Sequence, residues 1–185
     1  PVIFLEHRWL HAQKGEVPRG DYRVPLGKAQ LLREGDDVTI VANSFMTVEA
    51  IHAIDHLHEQ GVNCELVDLR TVRPLDWETI ENSVRKTGRL MVLDIACEFG
   101  SIAGEIIAGI TERYFDVLKT APIRICPPAH ATPTSPALTK EFYPGAMDIV
   151  EAVAKLIGRE LESQSLNDQR IWPHDVPGDW FSGPF

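Results

Sequence analysis

Short apolar runs alternate with amphipathic stretches between residues 28 and about 158. The apolar runs at 38–42, 64–69, 90–93 and 123–125 predict buried strands. Between them, apolar residues recur at helical spacing, and a closing helix is predicted over 146–157. Strands that alternate with helices predict an α/β fold, a three-layer sandwich with a mostly parallel sheet covered by helices on both faces.

Helix boundaries can be placed at two positions. Val48, Ile51, Ile54 and Leu57 form a helical stripe that should stop at Gly61. Asp76 is a candidate N-cap for the next helix. Leu75 before it and Ile80 after it are spaced for a hydrophobic staple, which supports a helix start at this point.

The regions outside this alternation differ in character. Residues 1–6 are mostly apolar β-formers that need a sheet to join, and we interpret them as the last strand of a preceding domain. Residues 7–27 are rich in glycine, proline and charge, which indicates an interdomain connection. Residues 28–159 form the predicted domain, and residues 160–185 form an acidic tail that contains several aromatic residues.

Charge and composition exclude several function classes. The 185 residues are 44% hydrophobic and carry a net charge of −9, which disfavours partners such as nucleic acid or an anionic membrane surface. No apolar run approaches the roughly 20 residues of a membrane-spanning helix. Cys64, Cys97 and Cys126 form neither a disulfide framework nor a zinc pattern. A reducing compartment such as the cytoplasm is therefore predicted.

The segment from Asp68 to Asp76 carries two arginines and two aspartates at a strand-to-helix crossover, where α/β proteins place contacts to ligands or partners. It resembles a signature of the beta subunits of thiamine-diphosphate-dependent 2-oxoacid dehydrogenases, the first components that act on pyruvate, branched-chain 2-oxoacids or acetoin. Other segments resemble the same family in the same order. They are residues 1–6, 25–29, 37–42, 79–81, 86–90 and 121–124.

This resemblance implies that residues 1–6 end a truncated pyrimidine-binding domain and that residues 28–159 form a transketolase C-terminal-like domain. The whole enzyme would decarboxylate a 2-oxoacid and pass the acyl group to a lipoyl arm. Its cofactors would be thiamine diphosphate and magnesium, held by elements outside this chain. The implied partners are a second beta subunit, an alpha subunit and the lipoyl acyltransferase core, and the implied compartment is the cytoplasm or the mitochondrial matrix.

No catalytic, cofactor-binding or metal-binding residue is therefore assigned, and the chain alone is expected to be inactive. The interface candidates are Arg70, Arg73 and Asp76, with local pairing among these charges as the alternative. Two other functions remain open. The chain could be the C-terminal domain of a transketolase or a deoxyxylulose-phosphate synthase, or a stand-alone interaction module without catalysis.

Several histidines and one cysteine require an interpretation. His52 and His56 have metal-ligand spacing, but a solvated helix face is the favoured interpretation. His7 and His11 lie in the connection, either near a cofactor or as plain loop residues. Cys97 is interpreted as buried and inert, with a reactive thiol as the alternative.

Two loops receive structural interpretations. Gly100 to Gly104 opens a helix, and close packing through small residues is favoured over anion binding. His130 lies in a proline-rich segment interpreted as a rigid loop that contacts a neighbouring subunit.

The tail combines acidic and aromatic residues, which a disordered segment seldom does. We predict that Trp172, Trp180 and Phe181 anchor it to the domain or to a neighbouring subunit, with the acids outward. An acidic tail also suits a basic acyltransferase partner. Its acids are Glu160, Glu162, Asp168, Asp175 and Asp179, and Phe185 is its last aromatic residue.

Overall fold

The computed structural model describes residues 1–168, 170–178, 180 and 181. In this part of the chain, five strands form one sheet in the order β1-β3-β2-β4-β5. The strands are β1 (Gln30–Arg33), β2 (Val38–Ala42), β3 (Cys64–Asp68), β4 (Leu90–Leu93) and β5 (Ile123–Ile125). Strand β1 pairs with β3 in the antiparallel sense, and the other neighbours are parallel.

Helices connect the strands. They are α1 (Phe45–Glu59), α2 (Trp77–Thr87), α3 (Ile102–Tyr114), α4 (Pro136–Thr139), α5 (Ala146–Ile157) and α6 (Gln164–Asp168). Two 3₁₀ turns lie at Arg8–Leu10 and Phe115–Val117. Helix α2 ends at Gly88, whose φ of 71° is a left-handed conformation that glycine adopts at little cost.

Alternate residues of the central strands enter two separate apolar cores. Ile40 and its neighbours on one face pack against α1 and α5, whereas Val41 on the other face packs against α2 and α3. Thr39 lies on the α2 side and its hydroxyl is 2.7 Å from that of Ser83 and 2.8 Å from that of Thr87. The predicted sandwich, with a mostly parallel sheet between two helical layers, is confirmed.

The predicted strands and the closing helix are confirmed within a residue or two. The edge strand β1 was not predicted, because its four residues alternate between half-buried and exposed and give no continuous apolar run. Residues 1–6 form no strand, and the side chains from Val2 to Leu5 are 71–85% exposed. A strand requires a partner strand, so the interpretation of residues 1–6 as the last strand of a preceding domain stays a prediction.

Within the described residues, no helix has both the length and the apolar character needed to cross a membrane.

Candidate functional site

The loop after β3 is held by contacts with residues distant in sequence. Arg70 adopts a φ of 53°, and its guanidinium donates a hydrogen bond to the side-chain oxygen of Gln30. Its Nε also lies 3.8 Å from a carboxylate oxygen of Asp68. Burial raises the pKa of Asp68, and the charge and backbone N–H of Arg70 oppose that rise. Within this chain Arg70 therefore pairs locally with Asp68, as the alternative interpretation held. Its role at an interface stays a prediction.

Asp76 supports this loop from inside. Its side chain is only 3% exposed and accepts hydrogen bonds from the backbone N–H of Ala29 at 3.0 Å and that of Thr79 at 3.3 Å. Burial opposes ionisation, but these donors and the charge of Lys28 together lower the pKa of Asp76. The predicted N-cap is confirmed. As an interface candidate, Asp76 has almost no surface of its own to offer a partner.

Arg73 is the member of this group that faces solvent. It is exposed and forms no ion pair with the described residues. Val72 beside it is 49% exposed. The outer part of the loop therefore presents an exposed cation and an apolar side chain, and its contact with a partner stays a prediction.

A second site lies at the carboxyl ends of the parallel strands. From β2 the chain continues to β3 on one side of β2, whereas β4 lies on the other side of β2 and continues outward to β5. The direction of the connections therefore reverses between β2 and β4, and α/β sheets bind ligands at such a switch point. Asn43 after β2 donates to the carboxylate of Asp94 after β4 at 3.3 Å. Asp94 also accepts the backbone N–H of Ile102 at 3.1 Å. This carboxylate occupies the start of α3, so the alternative of anion binding at Gly100–Gly104 has no support.

A groove of about 410 Å³ opens at this edge of the sheet. Aromatic rings on its wall contact one another in pairs: Trp9 lies 4.9 Å from Phe45 and 5.5 Å from Tyr143, and Phe142 lies 5.0 Å from Tyr143. Ser44, which precedes Phe45, has a φ of 53°, a strained conformation for a residue with a side chain. Sequence reasoning missed this groove because its rings come from positions up to 134 residues apart.

Polar groups also line the groove. His7 stacks on Phe45 with ring centroids 5.6 Å apart, and its Nδ1 accepts the backbone N–H of Trp9 at 3.3 Å. Burial lowers the pKa of His7, and the nearby His11 adds to this effect. His130 lines the groove as well, with its ring 5.4 Å from that of Phe142. The contact between the His130 loop and a neighbouring subunit stays a prediction.

The groove does not fit a diphosphate with its magnesium ion. Its lining includes Arg8 and two histidines but no carboxylate. Among the described residues, no three His, Cys, Asp or Glu side chains are grouped to hold a metal ion.

The remaining histidines and Cys97 differ in part from expectation. His52 is exposed, as predicted. The side chain of His56, by contrast, is only 13% exposed, and its Nε2 lies 2.7 Å from the backbone oxygen of Glu162 in the tail. His11 pairs with Glu6 at 3.2 Å. Cys97 is exposed rather than buried, since the loop after β4 faces outward. Burial raises the pKa of the Cys64 thiol to about 12.

The tail folds back on the domain at several points. Leu161 and Leu166 pack against the core beneath α1 and α5. Nε2 of His174 lies 2.7 Å from the hydroxyl of Thr139. Arg170 lies close enough to Glu49 for their charges to attract each other. Glu49 is only 7% exposed, and burial raises the pKa of its carboxyl although a hydrogen bond from the backbone N–H of Ala146 opposes that rise.

The predicted aromatic anchors are partly covered. Trp172 is half-buried, with the guanidinium of Arg170 at 5.9 Å from its ring. Trp180 and Phe181 are half-buried and lie edge to face, with ring centroids 6.4 Å apart. Their contact with a neighbouring subunit stays a prediction. Asp179 and Phe185 lie outside the described residues.

Comparison with known proteins identifies the family. The sequence model of the family 'transketolase, C-terminal domain' matches residues 27–149 of this chain. The chain is 42% identical to the beta subunit of acetoin:2,6-dichlorophenolindophenol oxidoreductase from Cupriavidus necator, over 84% of this chain and 46% of that protein. It is 39% identical to the pyruvate dehydrogenase E1 component subunit beta of Bacillus subtilis, over 85% of this chain and 48% of that protein.

A solved structure of a split-gene transketolase, an inactive beta4 tetramer, superposes with a TM-score of 0.67 at 28% identity. The match covers 80% of this chain and 48% of that one. The chain thus spans about half the length of these relatives. As the resemblance to the beta subunits of 2-oxoacid dehydrogenases predicted, the chain belongs to the transketolase C-terminal domain family.

Proposed function

We propose that this chain is the architectural domain of the beta subunit of a thiamine-diphosphate-dependent 2-oxoacid dehydrogenase. The observation that carries the proposal is the 42% identity, over 84% of this chain, to the beta subunit of a protein named as acetoin:2,6-dichlorophenolindophenol oxidoreductase. Relatives named for pyruvate and 2-oxoisovalerate dehydrogenases are 39% and 38% identical. The whole enzyme decarboxylates a 2-oxoacid and transfers the acyl group to a lipoyl arm.

Contact with other subunits is the second part of this proposal. The partners are another beta subunit, the alpha subunit and the lipoyl acyltransferase core. Support comes from the split-gene transketolase, whose beta chains are named as a tetramer, and from the exposed apolar side chains of Val2 to Leu5. Such a continuous apolar run is normally covered by protein in the assembled molecule. We propose that the preceding pyrimidine-binding domain covers it.

The cofactors belong to the whole enzyme in this proposal. Thiamine diphosphate and magnesium are bound by the alpha subunit and the pyrimidine-binding domain, and none is bound by this chain. The enzyme acts in the cytoplasm or, in a eukaryote, in the mitochondrial matrix. One of the relatives, a 2-oxoisovalerate dehydrogenase subunit beta, is named as mitochondrial.

A transketolase domain is the second candidate, since the superposed structure is a transketolase. The curated relatives with 35–42% identity are named as acetoin, pyruvate or 2-oxoisovalerate enzymes, which favours the dehydrogenase. A gene that encodes a pyrimidine-binding domain upstream in the same reading frame would reject a stand-alone interaction module.

The test is reconstitution. The purified chain, supplied with thiamine diphosphate, magnesium and pyruvate, 2-oxoisovalerate or acetoin, is expected to release no product and to reduce no dichlorophenolindophenol. The longer beta polypeptide that contains this chain, mixed with its alpha subunit, is expected to be active on one of these substrates. Turnover by the chain alone would refute the architectural role. Turnover of ketose phosphates by the reconstituted pair would favour a transketolase.

A further inference from the structure

We propose that the groove at the carboxyl edge of the sheet binds a small planar aromatic anion, of the chemical class of the aromatic carboxylates. This ligand site is independent of the subunit contacts proposed above. It rests on the position of the groove, on its aromatic wall and on the sign of the charge around it.

The position is one where the fold leaves a crevice. Phe45 and Met46 follow β2, Ile95 and Cys97 follow β4, and Pro127 follows β5. Segments that leave adjacent parallel strands in opposite directions separate at this edge, which creates a space without disturbing the hydrogen bonds of the sheet. The volume of about 410 Å³ lies within the range of pockets for small molecules, roughly 300–1,000 Å³.

The aromatic wall favours a planar ligand. Trp9 contacts Phe45 edge to face at an interplanar angle of 85°, and Phe142 contacts Tyr143 at 89°. Because each ring is fixed by a perpendicular neighbour, little side-chain entropy is lost when a ligand packs on its face. Trp9 and Tyr143 are half-buried, so part of their surface remains open to the groove.

The charge around the groove favours an anion. The chain has a net charge of −9, yet the groove is lined by Arg8, His7 and His130 and by no aspartate or glutamate. Arg8 is exposed and forms no ion pair within the described residues, so its guanidinium is available to pair with a carboxylate. Nδ1 of His7 is already an acceptor for Trp9, which leaves Nε2–H of the neutral ring as a donor.

The experiment uses 2-naphthoate as the probe on the isotopically labelled chain, followed by NMR. Two control compounds separate the contributions: 2-naphthalenemethanol keeps the rings without the charge, and cyclohexanecarboxylate keeps the charge without the rings. We expect naphthoate to shift the indole signal of Trp9 and the imidazole signals of His7 and His130. Each control compound is expected to bind about tenfold more weakly, which corresponds to about 1.4 kcal/mol.

The matched variants are Arg8→Gln and Arg23→Gln. Both remove an exposed arginine from the connecting segment, but Arg23 lies outside the groove and pairs with Asp21. Arg8→Gln is expected to weaken naphthoate binding about tenfold and Arg23→Gln to leave it unchanged, with equal melting temperatures. Equal binding by both variants, equal affinity for the neutral alcohol, or signal shifts confined to Trp77 would overturn the proposal. Loss of binding in the longer polypeptide with its preceding domain would do so as well, because the groove would then be a domain contact.

Discussion

The carboxylate of Asp76 accepts the backbone N–H of Ala29 at 3.0 Å, across 47 positions of the sequence. The same carboxylate caps α2 through the backbone N–H and the hydroxyl of Thr79. One buried side chain therefore joins the start of the edge strand to the start of a core helix. The loop with Arg70 and Arg73 lies between β3 and this helix.

Asp76→Ala should lower the free energy of unfolding near neutral pH by about 1–2 kcal/mol, because it removes the helix cap and leaves the Ala29 N–H unpaired. The pKa of Asp76 is lowered in the folded chain. Its contribution is thus fully present above the unfolded-state pKa of about 3.9 and is lost as pH falls through the lower folded-state pKa. Urea unfolding at several pH values measures this difference. Asp116→Ala, at an exposed position, is the control, and a pH-independent difference would contradict the account.

Two glycines of α3 should respond to alanine with opposite signs. A Cβ at Gly109 would lie 2.6 Å from the ring of Trp77, which is itself held under the guanidinium of Arg113. At Gly104 such a Cβ would meet only the guanidinium of Arg124, at 3.9 Å. Gly104→Ala should therefore raise the free energy of unfolding by about 0.5–1 kcal/mol, whereas Gly109→Ala should lower it. Thermal unfolding of the two variants compares them directly, and equal stabilisation would show that Trp77 moves freely.

The three thiols should differ in reactivity. Cys97 is exposed, Cys126 is half-buried and Cys64 is buried, with burial raising the pKa of Cys64 to about 12. Because the thiolate is the reactive form, a disulfide reagent near neutral pH should label Cys97 first and Cys64 only after unfolding. Cys97→Ser should remove the fast phase. A fast phase that persists in this variant would show that the loop after β4 is not the exposed one.

The start of the tail should contribute to stability. Leu166 packs on the core beneath α5, whereas Ile171 is 84% exposed. Leu166→Ala should cost about 1–2 kcal/mol, less than a fully buried leucine, and Ile171→Ala should cost almost nothing. Melting temperatures of the pair provide the measurement. If both substitutions are neutral, the tail is not anchored to this domain.

Arg73 should affect self-association if the proposed function holds. It is exposed and forms no ion pair within the described residues, so Arg73→Ala removes a contact only from a partner. Sedimentation velocity at micromolar concentration should show a weaker assembly for Arg73→Ala and an unchanged one for Arg23→Ala. An unchanged assembly in Arg73→Ala would place this loop outside the contact between beta subunits.

The amino-acid sequence by itself determined the layers of the fold. The central strands are mainly apolar because both of their faces are buried, and α5 has a clear apolar stripe because one side faces the core. Asp76 was recognisable as a cap from local chemistry alone, since capping involves residues three positions apart. The edge strand β1 escaped prediction because it depends on pairing with β3, which local propensity does not encode.

Only the tertiary structure decided where the distant side chains meet. His7, Phe45 and Tyr143 line one groove because three connecting segments converge at the ends of parallel strands, and no periodicity in the sequence records that convergence. The covering of His56 by Glu162 and the exposure of Cys97 depend likewise on the path of chain segments over the surface. Periodic burial is a local property of strands and helices, whereas a site made from loops depends on how those elements are arranged in space.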